Sequence, residues 1–218
     1  MRRLRRGRRT PPPRRALPGR ARAWWGIRLP GYRAVRGTYG RFVPPPSVER
    51  ELDDELRWLL AEPPVDDALE GELPCVAPPD VPRSFARFVE DPEPRRRVRT
   101  CTDCFLEAAD AVVPVEDGGR LIHFLSDQQW VLHWLLYVGP DGGEAVVATP
   151  IAYGFESGET PATFASRGDE ADVCAESFDE FLYRFWIENE IWYAQSDRHG
   201  EPRPLTDEER RYAERAAT

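Results

Sequence analysis

Lysine is missing from this chain: all thirty basic residues among its 218 are arginine. An all-arginine set of cations suggests a GC-rich coding sequence, so arginine content alone is a weak sign of phosphate binding. Carboxylates are missing from Met1 to Val48, a stretch that carries fourteen arginines. Glu49 to Thr218 holds all thirty-eight carboxylates against sixteen arginines, a surplus of 22 negative charges. The formal net charge of −8 therefore averages a basic arm and a strongly acidic body.

Long apolar runs are also absent. The longest, Trp130 to Val138, is broken by His133 and falls far short of the roughly 20 residues that span a bilayer. No apolar segment follows the arginine-rich start, so neither a secretory signal nor a twin-arginine signal at Arg2-Arg3 is expected. Four cysteines are too few for a disulfide scaffold in a chain of this size. The expectation is a cytoplasmic protein with reduced thiols and no membrane association.

Catalytic motifs are lacking too. There is no Walker A loop, GxSxG, HExxH or dinucleotide fingerprint, and Gly118-Gly119 and Gly142-Gly143 fit turns. The run Gly139 to Gly143 is not followed by Lys-Ser/Thr and a helix, so it is no phosphate cradle. No catalytic residue, metal, cofactor or small-molecule substrate is expected.

What is present divides into two parts. Residues 1–46 combine arginine pairs with Pro11-Pro12-Pro13 and Pro44-Pro45-Pro46, a composition that favours a disordered basic arm. Trp24-Trp25, Tyr32, Tyr39 and Phe42 lie among these arginines. They leave open a nucleic-acid-associated arm, with arginine on phosphates and aromatics on bases, or docking onto the acidic body. Residues 47–218 read as one α+β domain. Val48, Leu52, Leu56, Leu59 and Leu60 share a helical face, with Ser47 as N-cap and Pro63-Pro64 as the stop. Asp80 is placed to cap a helix carrying Val81, Phe85, Phe88 and Val89, closed by Pro92 and followed by the basic cluster Arg95-Arg96-Arg97 and Arg99. Thr102 to Ala111 suits a helix better than a strand.

The segment Leu121 to Thr149 carries the sheet signal. Arg120–Ser126, Trp130–Val138 and Glu144–Thr149 read as an antiparallel meander, with turns at Asp127-Gln128-Gln129 and Gly139 to Gly143. Both faces of the middle strand are mostly apolar, so it should be central and covered on both sides. Residues 154–172 read as a long loop. Ser177 with Glu180 forms a capping box for an aromatic helix through Ala194, and Thr206 with Glu209 opens a last, largely solvent-facing helix.

Three candidate groups of residues carry alternative chemistries. Cys101-x-x-Cys104 has metal or redox spacing, and a structural zinc protein would need Cys75 and Cys174 to complete the site. Neither of those lies in a second CxxC, and Asp103 would raise rather than lower a thiol pKa, so ordinary core or surface cysteines are the preferred reading. His123 and His133 meet only in certain hairpin registers. Paired residue numbers summing to 255 put the two rings on opposite faces, and a sum of 256 puts them directly opposite one another. Two- and four-residue loops give the first, so two separate buried histidines are expected. Glu188 and Glu190 interrupt the aromatic helix beside Trp192. They form either a polar edge or an aromatic-and-acid contact for a partner.

The stretch from Phe124 through Asp127-Gln128-Gln129 to Trp134 resembles the hallmark hairpin of the SUKH (SMI1/KNR4-like) superfamily. There an aromatic strand ends in a polar turn and the next strand carries a tryptophan. Leu73-Pro74 to Val89 is similar to the family's Leu-Pro segment and first core helix. Ser177 to Leu182 resembles the start of its closing helix. The resemblance covers residues 73–194. Asp91-Pro92-Glu93-Pro94 departs from it by replacing a glycine-containing turn, and a long acidic loop is inserted before the last core helix.

The resemblance implies a mostly antiparallel sheet packed by helices, and a non-catalytic binding role. Many bacterial members look like immunity proteins that neutralise toxins. The acidic body fits a protein partner with a basic surface, such as a nuclease toxin, because opposite potentials steer association. Contact residues are expected at Asp127, Gln128, Gln129, Trp130 and Trp134, and at Glu188, Glu190 and Trp192.

Overall fold

The computed structural model describes residues 50–74, 76–109, 111–115, 117–155, 172–196 and 201–216. The basic arm, Ser47, Cys75 and most of the 154–172 loop lie outside these residues. Seven strands form one mixed sheet: β1 (Gly71–Glu72), β2 (Phe105–Glu107), β3 (Val113–Pro114), β4 (Arg120–Ser126), β5 (His133–Val138), β6 (Glu144–Thr149) and β7 (Asp172–Ala175). Their order is β1-β2-β4-β5-β6-β7, with β3 also paired to β4. Only β1 with β2 is parallel; the other pairs are antiparallel. Gly71 sits at φ +122, and a Cβ there would overlap the Leu106 carbonyl, so this close parallel contact requires glycine.

The meander forms as the alternation of apolar residues requires, and β5 is central. Trp134, Leu136 and Val138 enter the large core, while His133, Leu135 and Tyr137 face the other side of the sheet. The expected strand from Trp130 is shorter, because 127–132 form a six-residue loop. Asp127 holds this loop. Its Oδ1 accepts from the backbone N–H of Val131 (2.7 Å) and Leu132 (2.8 Å), so the loop's inward amides are satisfied without a ladder.

Five helices lie among the described residues: α1 (Arg57–Leu60), α2 (Arg83–Glu90), α3 (Pro92–Arg95), α4 (Phe178–Gln195) and α5 (Asp207–Ala216). In α4 the Ser177 side chain accepts from the Glu180 N–H at 3.2 Å, and Glu180 reaches back to the Glu176 amide. Phe178, Phe181 and Phe185 meet Phe85, Phe88 and Phe124 to form the centre of the large core. On its far side α4 packs Tyr183 and Trp186 edge-on against Trp58 of α1. It is therefore buried nearly all round.

Other expectations change as well: α2 begins after Pro82 with no side-chain cap, so Asp80 does not cap it. The first helix is a single turn, because Leu56 adopts a left-handed conformation (φ 56) immediately before Arg57 and residues 51–56 are irregular. The 102–111 segment is not helical: Phe105–Glu107 pairs between β1 and β4. Within the residues assigned to a loop, Asp172 begins β7, which pairs with β6. The last helix is not merely solvent-facing, since Tyr212 is buried and donates to Glu188 Oε1 at 2.7 Å.

Three of the four clustered arginines reach inward, while Arg96 stays exposed beside Glu93. Arg95 donates to the carbonyls of Phe88 and Val89 at the end of α2, Arg97 to those of Glu62 and Glu93, and Arg99 makes a bidentate pair with Glu190. These guanidinium groups act as helix caps and clamps.

Candidate functional site

The face of the sheet opposite α4 carries a small apolar cluster of Val113, Val115, Leu121, Leu135, Val147 and Tyr153. At the end of this face nearest the 127–132 loop, the apolar residues give way to polar ones. A register shift between His123 and Leu125 produces that end. Up to His123 the paired residue numbers sum to 258, as in His123 with Leu135; beyond the shift Ser126 pairs with His133. The extra residue puts Phe124 and Leu125 both into the large core and turns Ser126 to the side of His123. The expected separation of the histidines is thus overturned: their ring centroids are 5.3 Å apart on one face.

Ser126 is the hub between them. Its Oγ lies 2.9 Å from Glu107 Oε2, 3.0 Å from His123 Nε2 and 2.9 Å from His133 Nδ1. A hydroxyl has one proton and two lone pairs. Ser126 donates to the carboxylate, and the roles of the two ring nitrogens at Oγ follow from the tautomer of each imidazole. His123 Nδ1 is buried without a hydrogen-bond partner. Relative exposure is 0% for Ser126, 3% for His123 and 1% for His133. Burial pushes His123 down to about 3, with the neighbouring His133 adding to the fall; burial also lowers His133, against the pull of Asp127 and Glu107. Both rings are neutral at pH 7. Ser126 Oγ directs its hydroxyl proton at the Glu107 carboxylate.

Trp130 lies over this network. Its Nε1 donates to the same Glu107 Oε2 at 2.8 Å, and its ring meets His133 and Phe155 edge-on, with centroids at 5.1 and 5.4 Å. Its backbone is left-handed at φ 57, a region that bulky residues rarely adopt and that costs roughly 1–3 kcal/mol. Even so, Trp130 remains 44% exposed beside Val131, which is 58% exposed. Gln128 and Gln129 are exposed in the same loop. A rigidly held, solvent-facing tryptophan beside a second apolar side chain and two amides is the composition of a protein-contact anchor.

The other expected contact residues are positioned differently. Trp134 is fully buried in the large core. Glu188 is buried between Arg184 Nε (2.9 Å) and Tyr212. Glu190 pairs with Arg99 and Arg203, and Trp192 is half-buried against the core. Only the Asp127–Trp130 set lies together at the surface, with Asp127 serving the loop backbone.

Cys104 is buried and Cys101 partly so, and burial pushes their thiols up to about 11 and about 12 respectively. Cys174 is buried in β7. Among the described residues no group of three or more His, Cys, Asp or Glu side chains is arranged to hold a metal ion. No helix among them is long and apolar enough to cross a membrane.

Sequence reading placed the two histidines apart and did not single out Glu107, Ser126 or Phe155. Glu107 and Ser126 are separated by 19 residues in sequence, and no spacing motif links them. No family model, curated protein or solved structure matches this chain.

Proposed function

We propose that this chain is a non-catalytic protein-binding domain of SUKH-like type that neutralises a toxin, with the loop Gln128–Val131 as its contact surface. The observation that carries this reading is Trp130: an exposed indole kept in a costly backbone conformation and tied to Glu107. A loop free to relax would turn such a ring inward, where burying it would gain about 1.5–3 kcal/mol. The surplus of carboxylates outside the first 48 residues supports a partner with a basic surface, through steering and orientation. The resemblance of the 124–134 stretch to the SUKH hairpin supports an immunity-type role.

The test has two stages. Full-length protein is used to capture partners from lysate of its own host at moderate salt, alongside Trp130→Ser. One stoichiometric protein is expected, and it is expected to be absent with the variant. Co-expression of that protein with this chain should then relieve the growth arrest it causes alone. Equal capture by both forms would remove the loop from the interface. A partner without toxicity would leave binding standing and remove the immunity role.

A further inference from the structure

The exposed indole of Trp130 stands against a carboxylate with a second carboxylate beside it in the sheet. Glu107 accepts its N–H through Oε2, and the second oxygen of that carboxylate has no hydrogen bond among the described residues. Across the parallel β1/β2 pair, Glu72 is the register partner of Glu107 and is exposed on the same side. Asp127 opens the loop that carries Trp130. No arginine among the described residues pairs with Glu72, Glu107 or Asp127. Elsewhere the body matches its cations closely, as in Arg99 with Glu190 and Arg50 with Glu62 and Glu208.

An aromatic face beside uncompensated carboxylates is a receptor for a cation. The indole N–H bond to Glu107 strengthens it, because a hydrogen bond to an anion makes the ring more electron-rich. A guanidinium fits better than an ammonium: it is planar, weakly hydrated, stacks on indole, and still directs N–H groups at a carboxylate alongside. We propose that Trp130, with Glu107 and Glu72, binds an arginine side chain presented by the partner protein. This rests on the protein-binding reading above and names the chemistry of the group recognised.

The probe is a hexa-arginine peptide, titrated into the full-length protein while the indole N–H resonance of Trp130 is followed by NMR. Hexa-lysine and hexa-citrulline, the neutral isostere, serve as comparisons. A saturable shift with hexa-arginine is expected, at least fivefold weaker with lysine and absent with citrulline. Glu72→Gln, which leaves the Ser126 hub intact, should weaken arginine binding about threefold, and Glu107→Gln at least fivefold. Equal responses to arginine and lysine, unaffected by either variant, would reduce the effect to diffuse attraction and overturn the proposal. A shift seen only after the fourteen arginines before residue 49 are changed to glutamine would assign the receptor to the chain's own arm, overturning a separate partner. Partner capture that depends on Trp130 without any guanidinium preference would sink this inference and leave the binding reading in place.

Discussion

Glu107 in β2 and Trp130 in the loop before β5 share one hydrogen bond, Nε1 to Oε2 at 2.8 Å, and the same oxygen also accepts from Ser126. The surface tryptophan is thereby coupled to a buried polar hub. Glu107→Gln keeps an acceptor oxygen and is expected to cost less than about 1 kcal/mol. Glu107→Leu leaves two donors unmatched and is expected to cost about 2–3 kcal/mol. Urea unfolding of the two variants checks the difference.

Ser126→Ala removes the one group that joins both histidines to the carboxylate. Both buried imidazoles then lose their hydrogen-bond partner at Oγ, so a loss of about 3 kcal/mol is expected. The same substitution at the exposed Ser of a turn would be close to neutral, so the chemical denaturation midpoint reports the hub directly.

Acid should weaken the fold through His123. Its folded pKa lies near 3, below the ordinary value of 6.5, so between these limits the unfolded chain binds the extra proton. Stability is fully present above pH 6.5 and is lost as pH falls towards 3, by up to about 1.4 kcal/mol per pH unit. His133, lowered by burial, acts with the same sign, and Glu107 and Asp127 face the pair. His123→Gln should flatten the dependence between pH 6 and 4, measured by urea unfolding across that range. An unchanged slope would mean that the histidine is not the source.

Glu144 should behave in the opposite sense. Burial raises it to about 7, with Asp179 and Glu180 adding like charge, while the Phe178 amide at 3.4 Å opposes the rise. A carboxyl with a raised folded pKa destabilises progressively as pH rises from its ordinary range through 7. Glu144→Gln keeps an acceptor for Phe178 without the charge. It is therefore expected to stabilise the fold at pH 8 by on the order of 1 kcal/mol after solvent screening, read as a higher melting temperature, and to have little effect at pH 5.

Gly71→Ala is expected to separate β1 from β2. The position combines φ +122 with a Cβ that would overlap the Leu106 carbonyl, so about 3 kcal/mol of destabilisation is expected. Hydrogen exchange should show protection lost at the Leu106 amide, which bonds the Glu70 carbonyl at 2.7 Å.

The meander and the aromatic helix were legible because alternation, turn glycines and the Ser177–Glu180 cap are local signals. Strand ends at Arg120, Ser126, Glu144 and Thr149 match the sequence reading. The short strands were not legible. Phe105–Glu107 and Asp172–Ala175 are three and four residues long, too few to show a period, and exist through their neighbours. The polar hub was hidden for a different reason. Strict alternation puts Ser126 on the face of Ile122 and Phe124, away from His123. The sequence pattern puts Trp130 at the start of the central strand, since nothing in the letters announces the left-handed, exposed tryptophan of the loop.

The extra residue in β4 also separates two kinds of heredity. Without Phe124 the strand would alternate evenly, and His123 and Ser126 would still point the same way. A one-residue deletion there would therefore spare the hub's parity while emptying the ring cluster of Phe85, Phe178 and Phe181. Length changes at that point would act on the helix-facing half of the molecule, so homologous chains that lost the residue would carry the same polar end on a differently filled interior.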